Sequence, residues 1–262
     1  MSQTPESNLI FDVDLTNPGQ FFACCGVIEI LYQRWRRVAS WFDADRCQVA
    51  VEGSVAGLTL RSLLTWFRGI KWVVPEHERE RGDKYTRPHE AAELGLRLDW
   101  WLPDAAVLPS PKTWSGAQNI GGMIKACAEM LLPCLESKTI PFDYSPRLTQ
   151  QPFYLDKRRS GGAQDTGYSP DKAGTVMPSF PIVELLAVIG LQRFRPLPID
   201  GGRRFEYGVW SEPLPVTIAS AVVGGQLPML ESRRYRFDFV ARDAEGKRKS
   251  FGESQLIRRS DA

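Results

Sequence analysis

Histidine is almost missing from this chain: His77 and His89 are its only two among 262 residues. No His-x-x-x-His and no His–Asp pairing is present, so the sequence offers no support for metal-assisted cleavage. A nuclease would have to use one of the two as general base, against the plainer reading of a solvated loop histidine. Gly-x-Ser-x-Gly and Walker-type glycine patterns are absent as well. Cysteine is scarce in any useful arrangement. The five stand at positions 24, 25, 47, 127 and 134. The count is odd, two are adjacent, and no Cys-x-x-Cys pair occurs, which argues against a disulfide framework and a zinc site. Reduced core thiols in a cytoplasmic protein are expected instead. No apolar run approaches the ~20 residues of a membrane span, and Met1 to Asn8 lacks the basic and apolar regions of a signal peptide. The net charge is only +2. The chain is no polycation, so any nucleic-acid surface must come from local clustering. No metal, cofactor or membrane contact is expected.

What is present is an ordinary core: 43% hydrophobic and 24% charged residues, enough for one large domain or two small ones. The eight Trp are read mostly as core anchors, with one or two left to face a partner or a base. The stretch over residues 9–35 organises the rest. Ile10, Val13 and Leu15 alternate with Asp12 and Asp14 as a strand does. Asn17 then suits an N-cap, Pro18 the first helical position, and Gln20 the third position of a capping box. Phe21, Cys24, Cys25, Ile28, Leu31, Tyr32 and Trp35 follow at helical spacing.

Further along, the pattern predicts a turn beginning at Trp41–Phe42, a strand over 47–51, a helix over 58–67 and a short strand over 70–74. A charged loop over 75–93 carries both histidines. Alternation over 94–101, with Leu94, Leu96 and Leu98 opposite Arg97 and Asp99, gives another strand. A second main helix spans 115–135, weakened by Gly121, Gly122 and Pro133. Residues 137–178 form a long irregular stretch rich in Pro and Gly, with Phe153–Leu155 as a brief strand. An apolar helix over 181–189 follows. Strands are expected over 205–210 and 235–240, the latter pairing with 247–251 as a hairpin, while 216–223 fits helix or strand. The expected fold is α+β: a mixed sheet, several packed helices, a long irregular basic loop and a C-terminal β-hairpin. Residues 1–136 form an N-terminal α/β part, and 137–262 a loop-rich α+β part packed on it as one unit.

Two basic clusters are the candidate binding residues. Arg147, Lys157, Arg158 and Arg159 face one acidic residue, Asp156, and precede Gly161–Gly162; cations beside glycines suit phosphate approach. Arg193, Arg195, Arg203 and Arg204 interleave with Phe194, Phe205 and Tyr207, a pattern that suits stacked bases of a single strand. Residues 231–259 add nine basic against five acidic side chains, readable also as edge-strand protection. Asp12 and Asp14 form a carboxylate pair with no third acidic partner; solvent-facing charges on an edge strand describe it better than a Mg²⁺ site.

Several blocks resemble one family. They are Asp14-Leu-Thr-Asn-Pro-Gly-Gln-Phe-Phe-Ala-Cys-Cys-Gly26, Leu96-Arg-Leu-Asp-Trp-Trp101, Lys112-Thr-Trp-Ser-Gly116, Asp165-Thr-Gly-Tyr-Ser-Pro-Asp171, and Val183-Glu-Leu-Leu-Ala187 through Gly190-Leu-Gln-Arg-Phe-Arg-Pro196. In this order they resemble the divergent large subunit of type I-G (formerly I-U) CRISPR–Cas effector complexes, or Cascade. The resemblance implies a non-catalytic subunit of a crRNA-guided DNA-binding complex, smaller than typical large subunits. It would contact backbone subunits and target DNA, stabilise opened strands and recruit the helicase-nuclease. Two other readings stay open. One is a guide-precursor endoribonuclease using His77 or His89 near Arg79, Lys84 or Tyr85. The other is a purely structural subunit.

Overall fold

The computed structural model describes residues 5–53, 57–73, 88–102, 109–114, 119–148, 152–159, 178–242 and 249–257. The side chain of Arg159, His77 with its charged loop, and Gly161–Gly162 lie outside the described residues.

The chain enters as β1 (Leu9–Asp12) and turns at once into α1 (Pro18–Trp35). The turn is built as its residues dictate. Asn17 sits in extended backbone and its side-chain oxygen accepts from the amides of Gly19 and Gln20, with Pro18 at the first helical position. Gln20 departs from the capping-box expectation. Its Oε1 accepts the amide of Asp14 at 2.8 Å, so it ties the helix start to the end of the strand. β2 (Val38–Asp43) and β3 (Arg46–Val51) form a hairpin. Trp41 and Phe42, expected at a turn, lie inside β2, because that strand runs between two neighbours and both residues are buried. The sheet order is β1-β3-β2-β8, all antiparallel, with β8 (Leu214–Pro215) arriving from the far end of the sequence.

α2 (Leu60–Phe67) starts in a capping box between Thr59 and Ser62 and buries Leu60, Leu63, Leu64 and Phe67. The strand expected over 70–74 reduces to one bridge, Val73 to Glu90. β4 (His89–Ala91) pairs with β5 (Leu96–Leu98). The second main helix is two: α3 (Ile120–Glu129) and α4 (Leu131–Glu136). The break at Met130 puts Pro133 in the first turn of α4, where its missing N–H is not needed.

α5 (Pro181–Arg193) is buried over its first eleven residues. Its main neighbour is α1, and two glycines set how close they come. A Cβ on Gly26 would lie 2.0 Å from the carbonyl oxygen of Leu186, and one on Gly190 would lie 2.1 Å from that of Phe22. Only glycine permits this backbone-to-backbone contact. Both helices begin at Leu155–Asp156: Gly19 abuts Leu155, and Glu184 accepts the amides of both residues. Both end at Arg193, which pairs with Glu29 and lies over the Tyr32 ring. They therefore run in the same direction.

The C-terminal sheet has order β10-β9-β7-β6, with β11 also on β9. It comprises β6 (Leu197–Ile199), β7 (Arg204–Val209), β9 (Arg233–Ala241), β10 (Lys249–Phe251) and β11 (Gln255–Ile257). β9 and β10 form the expected hairpin, and α6 (Val216–Val223) resolves the ambiguous segment as a helix. The inner face of this sheet carries Tyr207 and Phe237 onto Phe21 and Phe22 of α1, with Phe21 and Tyr207 stacked at 4.3 Å and Phe205 stacked on Phe237. The fold is α+β. No seam separates 1–136 from 137–262 among the described residues: β8 completes the first sheet, and α5 packs on α1. No helix among them is long and apolar enough to cross a membrane.

Candidate nucleic-acid interface

At the shared N-terminal ends of α1 and α5 the first basic cluster meets its partners. Asn17, fully buried, accepts a third amide from Lys157 at 3.2 Å and donates through Nδ2 to Asp156 at 2.9 Å. Asp156 is buried too, and the Arg158 guanidinium grips it through Nε and Nη2. The same guanidinium reaches Asp143 at 2.8 Å and the Phe142 carbonyl, and lies 3.5 Å above the Phe180 ring. Lys157 Nζ sits between Asp14 and Glu253, 2.9 Å from each, and donates to Thr16. Burial pushes the Asp14 carboxyl up, but the bonds from Thr16 and Lys157 outweigh it and hold it below its ordinary value. Burial likewise pulls Lys157 down, and Glu253 and Asp14 more than restore it.

Lys157 and Arg158, expected to track phosphate, both have carboxylate partners within the fold. Their charges are spent inside the fold, joining the opening turn to the irregular segment and the C-terminal strands. Arg147 of that cluster is exposed. No group of three or more His, Cys, Asp or Glu side chains that could hold a metal ion occurs among the described residues.

The second cluster lies at the opposite, C-terminal ends of α1 and α5. Arg193 bonds the buried Glu29 through two nitrogens, and Glu29 also accepts from Gln33 at 2.6 Å. Burial pulls Arg193 down, but its bonds to Glu29 outweigh this and hold it above its ordinary value. Arg195 is half-buried, and burial pulls its guanidinium down while Asp99 pushes it back. The two arginines and Arg97 open onto one polar groove of ≈570 Å³, with Gln33 and Gln192 in its wall. Gln192 is fixed there: its oxygen accepts the amides of Asp99 and Trp100, and its nitrogen donates to Asp99 at 2.8 Å. Arg97 stands 3.1 Å from Asp99 with 59% of its side chain exposed. Past Arg193 and Arg195 the groove continues into a cavity of ≈320 Å³ walled by Trp100, Pro111 and Leu197. Arg193 and Arg97 already pair with carboxylates there, Arg193 with Glu29 and Arg97 with Asp99 and Glu90, so the planar guanidinium groups would meet phosphate oxygens through the N–H groups these pairs leave over.

Arg203 is exposed, and Arg204 pairs with Asp200 four residues earlier. Phe194, Phe205 and Tyr207, expected to stack on bases, are fully buried and serve the core. The reason is period: in β7 Phe205 and Tyr207 share the inward face while Arg204 and Glu206 take the other. Sequence reasoning missed Arg97, Gln33 and Gln192 as groove residues. Arg97 had a signal, since it stands alone on the polar face of β5 between Leu96 and Leu98. His89 is wholly buried against Trp101, and burial lowers its pKa to about 4. Comparison with protein-family models, with curated proteins and with solved structures finds no match to this chain.

Proposed function

We propose that this chain is a non-catalytic subunit of a crRNA-guided, antiviral DNA-binding complex, and that the groove of Arg97, Arg193 and Arg195 meets nucleic-acid backbone. The blocks that resemble the type I-G large subunit motivate the complex; the groove is the observation that carries the contact. In this reading guide pairing supplies sequence and the groove supplies sequence-independent phosphate contacts. Effector backbone subunits, crRNA, target DNA and the helicase-nuclease are its partners, and the cytoplasm its compartment. The burial of His89 removes one of the two histidines that guide-precursor cleavage would use, because a wholly buried imidazole cannot reach an RNA hydroxyl.

The test is an Arg97→Ala/Arg195→Ala double variant in the reconstituted complex. Arg193 is left in place because it neutralises Glu29. Target binding should weaken alike for all guides, and the slope of log affinity against log salt should flatten by up to about 0.9 per lost duplex contact. Unchanged affinity and slope refute the groove. Cleavage of repeat RNA by the isolated chain, lost in His77→Ala, would establish the endoribonuclease instead.

A further inference from the structure

A second basic surface lies beside the groove, built from the last turn of α1 and the end of α2. Arg34 is exposed, and its guanidinium carbon lies 4.2 Å from the Trp35 ring centre and 4.0 Å from that of Trp66. The two indoles, 6.5 Å apart, are each half-buried. After α2 the chain turns tightly, with Gly69 and Ile70 donating back to Trp66 and Phe67. That turn exposes Arg68 and Lys71 and leaves Trp72 half-buried, edge-on to Phe67 at 6.1 Å. Neither contributing segment, 30–42 or 57–73, contains an acidic residue.

Stability alone explains part of this. Cations at two helix C-termini complement the negative end of the helix dipole. It does not explain why three indoles that pack against the core stay partly exposed beside those cations, when Trp100 and Trp210 are almost completely buried. Flat π-faces and a guanidinium plane beside cations that pair with no carboxylate among the described residues are what successive bases and phosphates of a single strand require. A duplex hides its base faces and would leave the indoles unused.

We propose that Arg34, Trp35, Trp66, Arg68, Lys71 and Trp72 form a stacking platform for single-stranded nucleic acid. It rests on the nucleic-acid reading above, but it is a separate surface and is tested separately. The bases lie against the outer faces of the indoles and the Arg34 plane, and Arg68 and Lys71 take the flanking phosphates. Binding is tolerant of sequence and stops where bases are missing.

The experiment uses the full chain and a fluorescently labelled 12-nucleotide single strand across a salt series, about the length such grooves span. The comparison ligands are the same strand carrying abasic sites and a duplex of equal length. The base-bearing strand should bind at least about tenfold tighter than the abasic one, and tighter than the duplex. Arg68→Gln/Lys71→Gln changes only exposed side chains and should flatten the salt slope by about 0.7 per lost contact. Trp66→Leu keeps apolar packing, removes the ring face, and should erase the difference between base-bearing and abasic strands. Equal binding of base-bearing and abasic strands overturns the platform, and so does a preference for duplex. If the Gln pair leaves strand binding unchanged but strips the chain from its complex, the surface is a protein interface and the proposal fails. Arg97→Ala/Arg195→Ala should spare the stacking difference, so failure of the groove and failure of the platform are separable.

Discussion

Replacing Asn17 by Ala removes more than a helix cap. An ordinary N-cap is worth about 1 kcal/mol. Asn17 has further partners, the Lys157 amide and the Asp156 carboxylate, in a place with no measurable solvent exposure. The substitution leaves the Lys157 N–H without that acceptor and takes one donor from a buried carboxylate, each loss worth about 1–3 kcal/mol. Arg158 remains on Asp156 and limits the second. Together these give about 3 kcal/mol, and for a chain of this size a melting temperature lower by roughly 6–12 °C. Urea unfolding followed by circular dichroism measures it. Asn17→Ser keeps an acceptor for the helix amides but cannot span to Asp156, and should lose about 2 kcal/mol. A loss of 1 kcal/mol or less for Ala, or a Ser variant equal to the parent, would show that the link to Asp156 contributes nothing and that Asn17 only caps. Nucleic-acid binding at a permissive temperature should be unaltered, since the turn lies at the end of α1 away from the groove.

Gly190→Ala should abolish folding or leave an expanded state, because its methyl group meets the Phe22 carbonyl rather than a movable side chain; a normal melting curve would refute the close crossing. Arg158→Ala strands the buried Asp156 and should cost about 3 kcal/mol in urea unfolding, while Lys157→Ala, with partly exposed partners, should cost about 1 kcal/mol. Neither should change the salt slope of target binding. Lys157→Ala should also reduce acid sensitivity. Asp14 is held below its usual value of 3.8, so its contribution is present above that pH and lost as pH falls below it. His89, at about 4 in the fold against 6.5 outside, resists protonation. Its contribution is complete above pH 6.5, falls by about 3 kcal/mol down to pH 4 and then levels; His89→Phe should flatten the urea midpoint across that window.

The opening turn was legible because its signals are local. A cap, a proline and an apolar repeat act within one or two turns, and the structure places Asn17 and Pro18 as those rules require. The same holds for α5, whose apolar faces imply burial on most sides. What failed depends on partners far along the chain. Trp41–Phe42 belongs to a strand only because β8, some 170 residues later, and β3 flank it. Gln20 fits a capping box until the strand end offers it a better donor. Lys157 looks like a free cation in a basic run, yet one of its carboxylate partners, Glu253, is 96 residues away. A cluster counted along the sequence says how many charges a segment has. It does not say how many are already neutralised.

The direction of the two central helices bears on where unneutralised charge remains. Because α1 and α5 run the same way, their amide-rich ends gather at one pole and their carbonyl-rich ends at the other. The amide pole collects Asp156 and Glu184, with Asp14 and Glu253 beside them: Glu184 accepts backbone amides, Arg158 is counter-ion to Asp156, and Lys157 to Asp14 and Glu253 together. The carbonyl pole favours cations directly. Two helix ends offer about half a charge each, and Glu29 offers one more, yet Arg34, Arg36, Arg37, Arg193 and Arg195 all lie at or just past them. Of these, Arg193 answers Glu29 and Arg37 answers Glu52 across a solvent-exposed pair. Arg195 has Asp99 beside it, which leaves Arg34 and Arg36 at the helix ends. On the reading proposed above, a polyanion meets the carbonyl pole, where the groove and the indoles lie.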